Sequence, residues 1–577
     1  MSTQTNTSES TQTSTVLHPV VIRLLEKRGL DIEGIKDFLS WNLKDLPDLM
    51  AMQDMEKAAL RIIDAIDEKE VIGIYGDYDV DGTTSCALFH HFFKMLNIKT
   101  QLIQPSRFVE GYGLHPPSVD QAKEAGIQLL ITVDCGITNN EAADHAKAIG
   151  IDLIITDHHK DARDEMPAAY AVVNPNRRDE PADSPLRPLA GVGVAFAICM
   201  KVRELLLARG QKVESLYPLL QFVAIGTICD LAKLTPMNIK LVRHGLKQIP
   251  QTTYPGVKAF FSREEREAGL IPAEKLAFHV GPYINSKGRL DHPERALQLL
   301  TCESEEDAYT HYNHLEVCNN ERKWIQAQVF EGARQQVIND ITGGEHIASV
   351  VYDGEWHEGV IGIVASKLVE TFKAPAVVFT NSEEEGVIKA SARSFGVLNI
   401  FDCLKECEDL FTRFGGHKAA AGLSMPKKNF RAFRERFLSA VAARPIFERT
   451  VSQTYDLEIR PDEISSELVK ALDLLEPFGM GNSKPVFKVS GMKLESFDLL
   501  KDVHVRWNFK TPSGQYLKGI SFNYISKWGV IHPEEIYRSQ QAGQDQLSVT
   551  FTLGINRFNG REFLQLMVDN VAIGNLA

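Results

Sequence analysis

Asp77-Tyr78-Asp79-Val80-Asp81-Gly82 follows directly on the apolar run Val71-Ile72-Gly73-Ile74-Tyr75. Further along, Asp134 follows Leu129 to Val133, Asp157-His158-His159 follows Leu153 to Thr156, and Asp230 closes another apolar stretch. A doubly wound parallel sheet gathers such residues, because ligands collect in the crevice outside the carboxyl ends of its strands. Carboxylates crowded into one crevice repel one another unless cations lie between them. The pattern therefore predicts a divalent-metal site, with phosphate chemistry as the reaction class it serves best.

Between Val71 and Val173 the apolar runs 71–75, 102–104, 129–133, 153–156 and 171–173 alternate with helical patterns, which implies right-handed crossovers and a parallel sheet. Helical spacing over residues 16–66 gives this half a small lead-in, and the chain stays mainly helical after Pro188. Residues 311–341 read as one long helix bridging two domains. A second α/β unit starts at Ile347 to Tyr352, continues through a helix at 360–372 and a strand at 376–379, and ends near Ala443. After Val451 short strands predominate, which suggests a small barrel. Along Val503 to Lys510 the alternation assigns Val503, Val505, Trp507 and Phe509 to its core and His504, Arg506, Asn508 and Lys510 to its outer face.

The bulk numbers bound the rest. A chain of 577 residues, 24% charged and 44% hydrophobic, makes three or four ordinary domains, and no apolar run reaches a membrane span. The polar opening MSTQTNTSESTQTST lacks the regions of a signal peptide, so a disordered tail over residues 1–15 and a cytoplasmic location are expected. The 8 cysteines form no C-x-x-C pair and read as reduced thiols; Cys403 and Cys407 share a helix face as core residues. A net charge of -13 excludes binding of nucleic acid through the overall field but leaves local binding open. Asp77, Asp79 and Asp81 are not a calcium loop, since the twelfth position from Asp77 is Leu88 rather than glutamate.

The succession GDYDVDG (76–82), TVDCG (132–136), TDHH (156–159) and GTICD (226–230) resembles the DHH phosphoesterases, and among them the bacterial exonucleases specific for single-stranded DNA. Matching segments run from about residue 17 to 570 and include PSRFVEGYGL (105–114), GRLD (288–291), HEGVIGI (357–363), SARS (391–394), FGGHKAAAG (414–422) and PFGMGN (477–482). The resemblance implies a DHH catalytic domain over 16–310, a connecting helix over 311–341, a DHHA1-like substrate-binding domain over 342–446 and an OB-fold nucleic-acid-binding domain over 447–577. It implies metal ligands at Asp77, Asp79, Asp81, Asp134, His158 and Asp230, with Asp134 shared between two Mn2+ or Mg2+ ions. His159 would touch the scissile phosphate, while Arg107, Tyr112, Arg289, Ser391, Arg393, Gly416 and His417 would hold the strand. Two departures stand out: Tyr283-Ile284-Asn285-Ser286-Lys287 replaces an arginine and Asn-Ala-Ala, and Ile228-Cys229 replaces smaller residues before Asp230. Neither removes a ligand.

The implied activity is 5′-to-3′ hydrolysis of single-stranded DNA to 5′ mononucleotides in recombination and repair, by a monomer that docks on single-strand-binding protein. Two other readings share the same residues. A small-substrate DHH phosphodiesterase needs no barrel, and an inactive DNA-binding scaffold of the Cdc45 kind predicts lost ligand carboxylates.

Overall fold

Strands buried on both faces need no polar alternation, and the apolar runs of the first half behave accordingly. In the computed structural model, β1 (Ile72–Gly76), β2 (Thr100–Ile103), β3 (Leu129–Val133), β4 (Asp152–Thr156) and β5 (Ala171–Val173) form one sheet in the order β2-β1-β3-β4-β5. All its pairings are parallel. The structure describes residues 17–105, 113–160, 165–287, 294–341, 346–450, 455–526, 530–541, 546–558 and 561–574. β1 and β3 are buried throughout, and the Val80–Met95 helix beside them is buried over almost its whole length. The sequence order 2-1-3 reverses between β1 and β3, so the acids that follow those two strands open onto the switch point where a crevice forms.

The bridging helix runs over Glu305–Asp340 and so starts earlier than residue 311. Ser304 caps it by accepting the Asp307 N–H, and Glu305, Glu306 and Asp307 place negative charge in its first turn. In the second lobe β6 (Ser349–Tyr352) and β7 (Ala376–Asn381) are parallel and joined by the Glu358–Phe372 helix, as the sequence implied. Three strands absent from that reading complete the sheet: β8 (Val387–Arg393), β9 (Arg413–Gly416) and β10 (Ala420–Pro426), in the order β6-β7-β8-β10-β9. Their Ala-, Ser- and Gly-rich sequences carry little strand propensity of their own, and successive pairing of β8 with β7, β10 with β8 and β9 with β10 holds them extended. Cys403 and Cys407 are buried in this lobe's core.

The chain divides into two compact units. The parallel sheet, the long helix and the second lobe belong to one, spanning Ser40–Gln453 with Glu476–Lys484. The other comprises residues up to Leu39, Thr454–Leu475 and Pro485–Ala577. The helices Pro19–Lys27 and Ile32–Leu39 therefore fold with the C-terminal segments, where the sequence reading had joined them to the catalytic half; Arg23 pairs with Glu463 and Arg28 with Asp456.

In this second unit β11 (Leu457–Glu458), β12 (Phe487–Leu500), β13 (His504–Lys510), β14 (Tyr516–Ser521), β15 (Leu547–Phe558) and β16 (Arg561–Ile573) form one sheet. β12 pairs with both β13 and β15, so the ladder β12-β13-β14-β16-β15 closes on itself. Val505, Trp507 and Phe509 are fully buried, and Trp507 donates its indole N–H to Ser521 Oγ at 2.8 Å. No helix among the described residues is long and apolar enough to cross a membrane.

Trp507→Ala leaves a large void in this closed sheet and is expected to destabilise it by about 3–5 kcal/mol. A fall in the urea midpoint followed by circular dichroism checks this, and an unchanged midpoint contradicts it.

Candidate functional site

Each acid of the first lobe is placed by a local backbone device. Asp79 is the N-cap of the Val80–Met95 helix, its Oδ1 accepting the Gly82 N–H at 3.0 Å, which turns Asp77 and Asp81 toward the same end of the sheet. Gly82 is required there, because a Cβ would lie 2.4 Å from the Asp77 carbonyl oxygen. Asp81 is fully buried and accepts the N–H groups of Gly191 (2.6 Å) and Val192 (2.9 Å), at the start of the Gly191–Ala208 helix. Asp134 follows β3 with φ +59°, and His158 and His159 follow β4. Asp230 is the C-cap of the Leu220–Cys229 helix.

These side chains converge. Ligand atoms of Asp77, Asp79 and Asp134 lie within 4.8 Å of one another, as do those of Asp81, His158 and Asp230, and those of Asp134, His158 and His159. His158 Nε2 is 3.1 Å from Asp134 Oδ1 and 3.8 Å from carboxylate oxygens of both Asp81 and Asp230. All six residues expected to bind metal thus fall into overlapping groups, with Asp134 and His158 joining them.

Two observations say that the groups suit divalent cations. Asp77 Oδ1 and His158 Nε2 are buried yet have no hydrogen-bond partner, which a protein interior rarely tolerates unless something else binds there. The protonation balance is also strained. Burial, then the charge of Asp79, pushes Asp77 up to about 8; burial and Asp79 likewise raise Asp230 to about 7. Burial with neighbouring aspartates raises Asp81 and Asp134 well above the ordinary range. Burial, then the His159 charge, lowers His158 to about 4, so its imidazole is neutral and able to donate a lone pair. A shell of carboxylates with one imidazole fits Mn2+ or Mg2+ better than zinc.

Asp157 was not given a role by the sequence, although it opens the Asp-His-His triplet. It is fully buried and accepts Ile137 N–H at 3.0 Å, His158 N–H at 2.7 Å and a hydrogen bond from His159 Nδ1 at 2.8 Å. Burial alone would raise its pKa, but these hydrogen bonds and the His159 charge hold it below the usual carboxylate value. Burial correspondingly works to lower His159, yet the Asp157 hydrogen bond and the surrounding acids push it up to about 9. Asn174 Nδ2 donates to the His159 carbonyl and Asn176 Nδ2 to the His158 carbonyl, fixing the backbone of both histidines. Gln104, also unforeseen, ties the Asp77 carbonyl to Thr83 Oγ1.

In the second lobe Ser391 and Arg393 lie on β8, with Arg393 Nη1 donating to Ser391 Oγ at 2.8 Å. Gly416 ends β9 and His417 begins the turn into β10, which lies between β9 and β8. Arg107, Tyr112 and Arg289 lie outside the described residues.

Comparison with known proteins gives the site its family. Residues 71–227 match the DHH family, N-terminal domain, residues 343–443 the DHHA1 domain, and residues 455–570 the RecJ OB domain. The Single-stranded-DNA-specific exonuclease RecJ of Escherichia coli is 32% identical over 96% of this chain and 96% of its own. The chain belongs to the RecJ family. Its fold is that of RecJ from Thermus thermophilus in complex with Mn2+, at TM-score 0.75 and 26% identity, over 97% of this chain and 79% of that one. The complex of RecJ from the same organism with Mg2+ shares the fold at TM-score 0.68 and 24% identity, over 97% and 78% of the two chains. RecJ-family membership and the donor set agree on a Mn2+ or Mg2+ cofactor.

The raised carboxylates carry a sign. Between the ordinary value of 3.8 and about 8, Asp77 keeps a proton in the folded chain that the unfolded chain has released, so metal-free stability falls as pH rises through that window. Mn2+ binds the ionised form and stabilises the fold by mass action, increasingly so at higher pH. Thermal melts at pH 5.5, 7.0 and 8.5, with chelator and with Mn2+, should show a Mn2+-induced rise in Tm that grows with pH; a rise that shrinks with pH contradicts the account.

Proposed function

We propose that this chain hydrolyses single-stranded DNA from its 5′ end to 5′ mononucleotides, with two Mn2+ or Mg2+ ions held by Asp77, Asp79, Asp81, Asp134, His158 and Asp230. The observation that carries the reading is the convergence of those six side chains into overlapping ligand groups at the carboxyl ends of β1, β3 and β4. RecJ-family membership supports the substrate and the exonucleolytic mode.

When bound, a pair of divalent cations supplies Lewis-acid stabilisation of charge on phosphate oxygens and makes water a nucleophile near neutral pH. The chain's own residues do the rest. Asp77, Asp79 and Asp134 form one ligand group and Asp81, His158 and Asp230 another, Asp134 and His158 meet in a third with His159, and the neutral His158 ring offers Nε2. His159, whose Nδ1 is fixed by Asp157, presents its other ring nitrogen to the scissile phosphate as a proton donor. Arg393, oriented by Ser391, adds charge-assisted hydrogen bonds to a phosphate of the strand. Gly416, at φ +151° and with no Cβ, lets the β9–β10 turn bring backbone and His417 close to an anion.

The same reading includes Arg107, Tyr112 and Arg289 as strand contacts, a single-strand-binding protein as docking partner, and a monomer working in the cytoplasm in recombination and repair. The closed sheet after residue 455 counts against a small-substrate phosphodiesterase. Retention of every ligand carboxylate counts against a Cdc45-like scaffold.

Digestion of a single strand labelled at either end should release the 5′ label first, with Mn2+ and not with chelator. Asp134→Ala should lower turnover by at least about 10³-fold, the effect of losing several kcal/mol of transition-state stabilisation, while the variant still shifts the strand on a gel. Retained turnover contradicts the role of Asp134, and release of the 3′ label first contradicts the polarity.

A further inference from the structure

Glu476–Lys484 lies in sequence between segments of the unit that holds the closed sheet, yet it folds as part of the unit that holds the metal ligands. It is a tight hairpin. Gly479 and Asn482 exchange backbone hydrogen bonds at 3.0 and 3.1 Å, and the buried Asn482 donates Nδ2 to the Pro477 carbonyl at 2.8 Å. Gly481 sits at φ +81° in the turn. At the hairpin's base the buried Arg243 donates Nε to the Glu476 carbonyl at 2.7 Å.

The tip of the hairpin packs on the residues that follow Asp230. Leu234 donates its N–H to the Met480 carbonyl at 2.7 Å. A Cβ on Gly479 would lie 2.9 Å from Leu234 Cδ1, and one on Gly481 would lie 2.7 Å from Lys233 Cγ. Gly481 in addition holds a positive φ, so a side chain there meets both crowding and backbone strain.

The segment it touches is strained. The other five ligands follow β1, β3 and β4, whose backbones are fixed by the sheet, whereas Asp230 caps the C-terminus of the Leu220–Cys229 helix. Leu231 stands at φ +59°, where helix ends normally place glycine, and Ala232 N–H returns to the Thr227 carbonyl at 3.2 Å. The Leu231 side chain is 61% exposed, so its own packing does not hold this conformation. A strained residue persists only where its surroundings over-determine it. Here those surroundings are Asn238, whose Nδ2 binds the Lys233 and Pro188 carbonyls, and the hairpin tip on Leu234 and Lys233.

We propose that the Glu476–Lys484 hairpin is a positioning element for the metal centre, clamping the turn after Asp230 so that its carboxylate stays with Asp81 and His158. The proposal rests on Asp230 being a ligand. Calorimetric titration of the intact chain with Mn2+ tests it, using Gly481→Val, the milder Gly481→Ala, and Gly386→Val as control. Gly386 has φ +76° with open space around it, so its substitution carries similar backbone strain away from the site. Loss of a support behind a ligand typically weakens metal affinity by about 10- to 100-fold. One of the two Mn2+ affinities should fall by that factor in Gly481→Val and less in Gly481→Ala, the other should hold, and Gly386→Val should match the wild type.

Wild-type affinities in both folded Gly481 variants overturn the proposal, as does equal weakening in Gly386→Val. If circular dichroism shows Gly481→Val unfolded, Gly481→Ala decides by the same criterion. A wild-type chain that takes up no Mn2+ overturns the metal-centre reading itself, a result distinct from wild-type uptake that the Gly481 substitutions leave unchanged.

Discussion

Buried carboxylates at the carboxyl ends of three parallel strands cannot all keep the charge they carry in water. Asp77, Asp81 and Asp134 have almost no exposed surface, and the fold gives Asp81 two helix N–H groups while leaving Asp77 Oδ1 without a hydrogen bond. The difference sorts the acids by duty. Asp157, saturated by four donors including the His159 ring, is an ionised structural anchor, whereas the unsatisfied group retains lone pairs for cations. The same contrast separates the two adjacent histidines: His159 is drawn toward the charged form by Asp157, and His158 is kept neutral by burial and by that neighbouring charge. Adjacent positions of one short motif thus hold two imidazoles in opposite protonation states.

Much of this was legible in the sequence because the decisive signals are local. Continuous apolar runs located the strands of the first sheet, those of β1, β3 and β4 leading into Asp or Asp-His, and β3 and β5 have the bounds read from the chain. The alternation placed Val505, Trp507 and Phe509 correctly in the core, but Val503, assigned with them, lies in the turn before β13 and is only partly buried. The misses are non-local. β8, β9 and β10 are rich in small residues and become strands only through their neighbours. The parallel pairing of β14 with β16, which closes the last sheet, leaves no mark on either strand's own pattern. The allotment of the first two helices to the C-terminal unit depends on ion pairs such as Arg23 with Glu463, hundreds of positions apart.

The site residues divide along the same line. The six side chains proposed as ligands were legible as candidates from motif order and strand ends, but the groups that support them were not. Ile137 N–H on Asp157 and Gly191 N–H on Asp81 are backbone groups, to which sequence gives no identity. The clamp behind Asp230 joins Leu234 to Met480 through a carbonyl that any residue would provide, so only the glycines on either side hint at close approach.

The two lobes are joined by a helix that packs against both of them. A 36-residue helix is about 54 Å long. Its C-terminal half contributes Val329, Ala333 and Val337 to a core with Val360, Ile361 and Val364 of the second lobe. Its N-terminal half meets the first lobe, where Ser286 Oγ contacts the Leu315 carbonyl and Tyr283 OH contacts Glu316. Between them Arg322 is buried along the helix and spans Asn319 and Gln326, stiffening the stretch that neither lobe fills with apolar side chains. A connection of this kind sets the separation of the lobes by helix geometry rather than by a flexible linker's distribution of lengths.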